Sequence, residues 1–238
     1  MTTPEPATPT LSPTGRLRVL HGWAERLSVP VETLTSSGTQ AFAREGATAV
    51  VVVELERSRV VVGPPAALER IRGLDGAELL DLQLLVASLA SFRPRPIGSA
   101  SLSYRDTRLD RRLPVATTRA DDALVEAMRL AVAADEWDES GLATMPQRWA
   151  ATTPQGRLAA LAGLERWGAD IAQLGVVATP DARGHGYAAA AAGEVVTQAL
   201  DDGLVAQWRC REGNAASERL AASLSLTRLG RQLAVDLS

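Results

Sequence analysis

Apolar residues in the second half of the chain recur first with the spacing of strands and then with that of a helix. Three apolar runs joined by tight polar turns predict strands at 148–153, 157–167 and 170–178. An alanine-rich helical segment follows at 188–200, and another apolar strand comes at 204–210. This order of elements predicts a sheet with a helix packed against it.

The first half of the chain is less regular. Two β-branched runs at 47–54 and 59–63 predict a hairpin, and apolar periodicity predicts helices at 17–27, 66–72 and 77–89. These elements also predict an α/β unit.

Breaks in the pattern predict the domain boundaries. Residues 1–14 are rich in Pro and Thr and are expected to be a disordered tail. The segment 93–98 (RPRPIG) interrupts the periodicity, which predicts an N-terminal α/β domain at 15–98 and a second domain at 99–238.

Within the second domain, periodicity predicts a helix at 119–135, and the segment 134–141 is interpreted as an acidic connector. A helix at 215–223 and two short strands that meet across Gly230 complete the expected order.

Composition narrows the function classes. Apolar residues make up 46% of the chain and charged residues 22%, as in ordinary globular proteins. The net charge of −3 gives no support for nucleic-acid binding. Two histidines exclude a histidine-rich metal site, and one cysteine excludes an internal disulfide. With neither a signal peptide nor an apolar run of about 20 residues, we expect a cytoplasmic protein without a membrane partner.

A glycine-spaced loop between a predicted strand and a predicted helix is the strongest candidate site. The loop reads Arg183-Gly-His-Gly-Tyr-Ala188. Loops of this kind direct backbone N–H groups and a helix N-terminus at a phosphate. Gly184 to Ala189 also matches the dinucleotide pattern G-x-G-x-x-A, but residues 179–183 make the turn too long and too little chain follows for that fold. A ligand-free turn, with Asn214 as an ordinary helix cap, is the remaining alternative.

The same residues match the pattern Arg/Gln-x-x-Gly-x-Gly/Ala, and the loop resembles the acetyl-CoA loop of the Gcn5-related N-acetyltransferases (GNAT). The resemblance covers roughly residues 100–238 and includes Asn214, the only asparagine in the chain, which opens the next helix. It implies a mixed, largely antiparallel sheet with a central CoA-binding helix, and acetyl-CoA as co-substrate. The residues that it implies contact the cofactor are Val176, Val177, Ala178, Arg183, Gly184, His185, Gly186, Tyr187, Ala188, Asn214 and Ser217.

The catalytic groups are less evident. A backbone N–H near Val177 or Ala178 is expected to stabilise the oxyanion. Asp170 and Glu136 are the candidate bases, although Glu136 can equally be a solvated charge, and a water relay needs neither. The family commonly has a Tyr about seven residues after the Asn, where this chain has Ala221, so Ser217 is the substitute acid.

The function predicted from the sequence is N-acetyl transfer from acetyl-CoA to a primary amine of a small molecule or peptide. The alternative is a catalytically silent acyl-CoA-binding sensor or scaffold, which the missing Tyr motivates. The domain 15–98 can be a degenerate copy of the same fold, a lid or a dimerisation surface, so a homodimer is one expectation.

Overall fold

The computed structural model describes residues 11–109 and 115–238. The chain divides into two compact units, and each unit is assembled from separate stretches of sequence. Unit 1 contains the described residues up to Val19 and those of Tyr104–Trp208 and Ala216–Thr227. Unit 2 contains Leu20–Ser103, Arg209–Ala215 and Arg228–Ser238.

Helices and strands occur in both halves of the chain. The α-helices are α1 (Pro13–Leu27), α2 (Val31–Thr35), α3 (Pro65–Ile71), α4 (Leu82–Ser88), α5 (Asp122–Ala131), α6 (Ala134–Ser140), α7 (Tyr187–Asp201) and α8 (Ala215–Ser223). Short 3-10 helices lie at Glu78–Leu80, Ala90–Phe92 and Pro180–Ala182. The strands are β1 (Gly38–Ala43), β2 (Ala49–Leu55), β3 (Ser58–Gly63), β4 (Arg95–Arg105), β5 (Thr117–Arg119), β6 (Gln147–Thr152), β7 (Leu158–Trp167), β8 (Ile171–Ala178), β9 (Val205–Arg211) and β10 (Thr227–Asp236). Over the described ranges, no helix combines the length and apolar character needed to cross a membrane.

Unit 1 contains a sheet with strands in the order β5, β6, β7, β8 and β9. Neighbours from β5 to β8 are antiparallel, whereas β8 and β9 are parallel and are connected through α7. Helix α7 packs against β6, β7 and β8 with a face of alanine and valine side chains, whose small size allows a close approach. Another core joins α5 and α6 to the sheet and consists of Met128, Trp137, Leu142, Met145, Ala150, Leu161 and Val177.

Unit 2 contains the strand order β1, β3, β2 and β10. Strand β1 is parallel to β3, and the other two pairs are antiparallel. Alternating valines of these strands pack against α3 and α4, as the period of two along a half-buried strand requires. The core of this unit contains Val50, Val52, Val61, Ala67, Ile71, Leu79, Leu80, Leu85, Leu89, Leu233 and Val235.

The predicted fold class is confirmed, because the strand pairs are mostly antiparallel and a central helix follows the glycine-spaced loop. Several predicted boundaries were wrong. Helix α1 begins at Pro13, inside the segment expected to be disordered, because Ser12 accepts the Gly15 N–H through its hydroxyl at 2.9 Å and Pro13 occupies the first helical position. The rest of that segment, 1–10, lies outside the described residues.

Two predicted interruptions are regular structure. The segment 93–98 was interpreted as a break, but β4 begins at Arg95, and Pro96 is tolerated because it lies at the exposed start of the strand. The two short strands expected around Gly230 form the single strand β10. A Cβ at Gly230 would lie 1.9 Å from the Glu54 carbonyl oxygen, so this glycine serves a close backbone approach and no turn.

The acidic connector is a helix as well. Residues 134–140 form α6, which buries Trp137 and exposes most of its carboxylates, and Gly141 ends it at φ 69°. The predicted helix 119–135 is shorter than expected. It is α5, whose first turn is capped by Asp121 accepting the Leu124 N–H at 2.9 Å.

A cluster of charges in unit 2 gives its stability a pH dependence. Glu212 accepts from Arg231 at 2.8 Å and from Arg228 at 3.4 Å. Burial raises the pKa of Glu212, but the hydrogen bonds and charges of its partners outweigh burial and hold that pKa below 4.5. A carboxylate whose pKa is lower in the folded than in the unfolded state contributes stability that is fully present above the unfolded pKa. This contribution is lost progressively as the pH falls through the folded pKa.

We therefore expect Glu212→Gln to lower the melting temperature at about pH 7 and to lower it less at about pH 4, because the wild-type contribution has begun to fade there. Melting curves of both proteins across this range provide the measurement. An equal difference at both pH values would contradict the assignment.

Candidate functional site

Near its C-terminal end, β8 has backbone N–H and C=O groups on the edge that faces away from β7. Thr179 donates its backbone N–H to the Ala159 carbonyl at 2.9 Å, and the register between β7 and β8 reaches this point without a break. Because backbone groups of a strand face its two neighbours alternately, those of Val177 face β7 and those of Val176 and Ala178 face the other edge. Val176 and Ala178 can therefore donate to and accept from a bound molecule.

This edge is only partly paired within unit 1. Residues 171–174 of β8 are in parallel register with 205–208 of β9, and β8 continues to Ala178. This geometry distinguishes between the two backbone N–H groups that were expected to donate to the oxyanion. The N–H of Val177 is directed at β7, whereas that of Ala178 lies on the other edge, as does that of Val176.

The first turn of α7 carries backbone N–H groups that have no acceptor inside the helix. The Ala190 N–H donates to the Gly186 carbonyl at 3.0 Å, so the N–H groups of Tyr187, Ala188 and Ala189 precede the helical ladder. The N-cap is a glycine, which has no side chain to satisfy them. Exposed N–H groups at a helix N-terminus attract anions, phosphate in particular.

Two glycines shape the approach to this turn. Gly184 has φ 78° and Gly186 has φ 84°, a left-handed conformation that side-chain-bearing residues rarely adopt. No atom lies within 4 Å of a Cβ built at either position, and both residues are exposed. The loop is thus open to a ligand at the point where the free N–H groups begin.

The side chains of the loop contact α6 and the loop itself. Arg183 Nη2 donates to both carboxylate oxygens of Glu136, at 2.8 and 2.7 Å. His185 Nδ1 lies 2.8 Å from the Arg183 carbonyl oxygen, which can only accept, so this nitrogen donates. The ring centroids of His185 and Tyr187 lie 6.4 Å apart. The structure therefore brings Glu136 to the loop.

Asp170 lies at the opposite end of β8 from the loop. It precedes Ala178 by eight residues, about 26 Å of strand at about 3.3 Å per residue. Its carboxylate accepts from Arg18 Nε at 2.8 Å. This geometry does not favour a catalytic role for Asp170, because an ion pair at the far end of the strand accounts for its charge.

The remaining predicted residues lie on α8 or immediately before it. Ser217 belongs to unit 1, and its hydroxyl accepts the indole N–H of Trp208 at 3.0 Å. Ala221, at the position of the family's Tyr, is buried. Asn214 belongs to unit 2, immediately before α8, where its N–H donates to the Arg211 carbonyl at 3.1 Å. The cofactor contacts of Asn214 and Ser217 stay predictions.

A buried amide pair joins β8 to β9 and was not predicted from the sequence. Gln207 Nε2 donates to Gln173 Oε1 at 2.7 Å, and Gln173 Nε2 donates to the Leu174 carbonyl at 2.8 Å. The two glutamines are opposite each other in the β8–β9 register and both are buried. The available signal was a lone glutamine in each of two apolar strands, because a buried amide needs a partner.

The two glutamines are expected to be energetically coupled. Gln207→Leu leaves the buried Gln173 oxygen without this donor, at a cost of about 1–3 kcal/mol of unfolding free energy. The double variant Gln173→Leu, Gln207→Leu removes both amides, so its loss should fall short of the sum of the single losses by about 1 kcal/mol or more. Urea unfolding of the three variants and the wild type measures this, and additive losses would contradict the pairing.

Comparisons with known proteins give structural matches only. No protein-family model matches the chain, and no curated protein matches its sequence. Among solved structures, a GCN5-related N-acetyltransferase-like protein from Streptococcus suis 89/1591 matches with a TM-score of 0.51 and 15% identity, covering 94% of this chain and 99% of that one.

Two further solved structures are similar at lower scores. A GCN5-related N-acetyltransferase from Kribbella flavida has a TM-score of 0.48 and 16% identity, with coverage of 90% and 94%. A phosphinothricin acetyltransferase from Sinorhizobium meliloti, solved with acetyl-CoA, has a TM-score of 0.40 and 12% identity, with coverage of 52% and 88%.

The chain has the fold of the Gcn5-related N-acetyltransferases. The likeness extends over most of the chain, as the Streptococcus suis match spans nearly all of both proteins. The sequence motif had indicated it for the C-terminal half alone, because the first half carries no glycine loop to mark it.

Proposed function

We propose that this chain is an N-acetyltransferase that transfers an acetyl group from acetyl-CoA to a primary amine. One observation carries the proposal: the first turn of α7 presents free N–H groups behind two left-handed glycines with open space in front of them. This arrangement suits the diphosphate of coenzyme A. The GNAT fold supports the same function.

The loop has the groups that such a cofactor needs. The N–H groups of Tyr187, Ala188 and Ala189 would hold the diphosphate, with the helix dipole adding to their attraction. Any side chain at Gly184 or Gly186 would occupy the space through which the phosphates approach. The guanidinium of Arg183 supplies positive charge beside the same turn.

The strand edge serves the other end of the cofactor. Acetyl-CoA, when bound, supplies the activated thioester carbonyl. The backbone groups of Val176 and Ala178 on the edge away from β7 would hold the pantetheine amides, and an N–H of this edge would donate to the developing oxyanion.

The candidate groups for proton transfer are all engaged in other contacts. Asp170 is paired with Arg18, Glu136 is bound by Arg183, and Ser217 accepts from Trp208. With each candidate engaged, we favour proton loss from the amine through water. The same observation favours the second candidate function, a catalytically silent acyl-CoA-binding protein.

Binding and turnover measurements separate these functions. Calorimetry with coenzyme A, acetyl-CoA and NAD is expected to give binding of the first two, and thiol release from acetyl-CoA with a panel of primary amines is expected to show steady turnover. Binding without thiol release would favour the silent protein, whereas the absence of heat with coenzyme A would overturn both. Tighter binding of NAD would restore the dinucleotide interpretation.

A further inference from the structure

The ion pair between α6 and the glycine-spaced loop engages the one charged side chain of that loop. Arg183 Nη2 contacts both oxygens of Glu136, so a single nitrogen holds the carboxylate at the loop. The Arg183 side chain is 50% exposed and that of Glu136 is 38% exposed, so water can reach both and another anion can reach Arg183. Exchange of one anion for another at Arg183 is therefore physically accessible.

A diphosphate at the α7 N-terminus would be such an anion. It would approach the N–H groups of Tyr187 to Ala189, which lie four to six residues after Arg183. A guanidinium binds phosphate through paired N–H donors, and phosphate oxygens compete well with a carboxylate for them. The negative charge of Glu136 also repels the incoming anion for as long as the ion pair holds it at the loop.

The rest of α6 is fixed independently of this pair. Trp137 is buried in the core that contains Val177, and a Cβ at Gly175 would lie 2.0 Å from the Ser140 carbonyl oxygen. Losing the contact with Arg183 would therefore free the Glu136 side chain without detaching the helix from the sheet. Glu136 can therefore release Arg183 and bind it again while α6 stays in place.

We propose that Glu136 sets the affinity of the loop for coenzyme A by competing with the diphosphate for Arg183. The inference rests on the proposed function, since it requires that the loop bind this cofactor. Glu136 then acts as an affinity-setting residue, which differs from the catalytic role predicted from the sequence. Binding of the cofactor exchanges the carboxylate for the diphosphate at Arg183.

Calorimetric titration of coenzyme A into Glu136→Gln tests the competition. We expect binding about fivefold tighter than in the wild type, the effect of about 1 kcal/mol for one exposed ion pair. Asp138→Asn is the matched control, because it removes one carboxylate from the same helix and Asp138 is exposed, with no ion pair among the described residues. This control should stay within about twofold of the wild type, as expected for an exposed charge screened by solvent.

The same substitutions made in an Arg183→Met variant separate competition for Arg183 from simple repulsion between Glu136 and the diphosphate. In Arg183→Met, the substitution Glu136→Gln should improve affinity no more than Asp138→Asn does, because the shared partner is gone. Inorganic diphosphate, titrated as a second probe, should reproduce the gain, since the pantetheine arm takes no part in it.

The outcomes distinguish the inference from the proposed function. If no variant binds coenzyme A, the proposed function fails and the inference fails with it. If the wild type binds but Glu136→Gln binds equally or more weakly, only the inference fails. A gain that persists in full in the Arg183→Met background would also overturn it, because repulsion alone would then explain the effect.

Discussion

Gly186→Glu is expected to abolish the stabilisation of the chain by coenzyme A. A ligand at 100 times its dissociation constant stabilises a protein by about 2.7 kcal/mol, or about 5–10 °C for a chain of this size. The new carboxylate would lie at the start of α7, where it would fill the approach to the free N–H groups and repel the diphosphate. Melting curves with and without coenzyme A measure the loss.

Gly203→Glu provides the control for this substitution. Gly203 has φ 72°, is exposed, and has no atom within 4 Å of a built Cβ. Gly203 lies just past the other end of α7, about 25 Å from Gly186 at about 1.5 Å per residue. The control substitution therefore introduces the same charge, at a position with the same left-handed backbone, far from the loop. It should retain the full ligand-induced shift. A shift that survived Gly186→Glu would remove the loop from the site.

The loop was predictable because its signals are local. A strand that ends in a polar turn, glycines at the two left-handed positions and an alanine-rich run all lie within 171–201, so neighbouring residues determine the outcome. The open N–H groups of the first turn of α7 then follow from helix geometry alone.

Contacts between distant segments could not be predicted in this way. Glu136 and Arg183 are 47 residues apart, and Gln173 and Gln207 are 34 apart, so only the packed sheet brings each pair together. For Asp170, the catalytic role stays a prediction that the geometry does not favour. The distance of this residue from the loop follows from strand geometry, and that arithmetic could have been applied to the sequence.

The structural role of a glycine cannot be read from its place in the sequence alone. At Gly186 the residue permits a left-handed backbone beside open space, whereas at Gly230 it permits a neighbouring carbonyl to approach. The letters of the sequence are the same in both cases. Gly230 was predicted to be a turn because the residue that crowds it, Glu54, lies far away in the sequence.

Gly175→Ala is expected to have the second large effect, because the same kind of close approach holds α6 on β8. A Cβ at Gly175 would lie 2.0 Å from the Ser140 carbonyl oxygen and 2.9 Å from Met145 Cε. A methionine tip can move, but a backbone oxygen moves only with its helix. Its register partner Gly163 is crowded too, with a built Cβ 2.9 Å from Leu142 Cδ2 and 3.0 Å from the Gln147 carbonyl oxygen.

Atoms of Ser140, Leu142, Met145 and Gln147 lie against these two glycines, so a methyl group added at Gly175 must displace the backbone at Ser140. Overpacking of this kind costs about 1–3 kcal/mol, and we expect the upper part of that range for Gly175→Ala. Urea unfolding measures the loss, and hydrogen exchange of 134–147 should show faster exchange in the variant. Gly73→Ala is the control, since Gly73 is exposed and no atom lies within 4 Å of its built Cβ. Equal stability of the two variants would mean that α6 does not rest on Gly175.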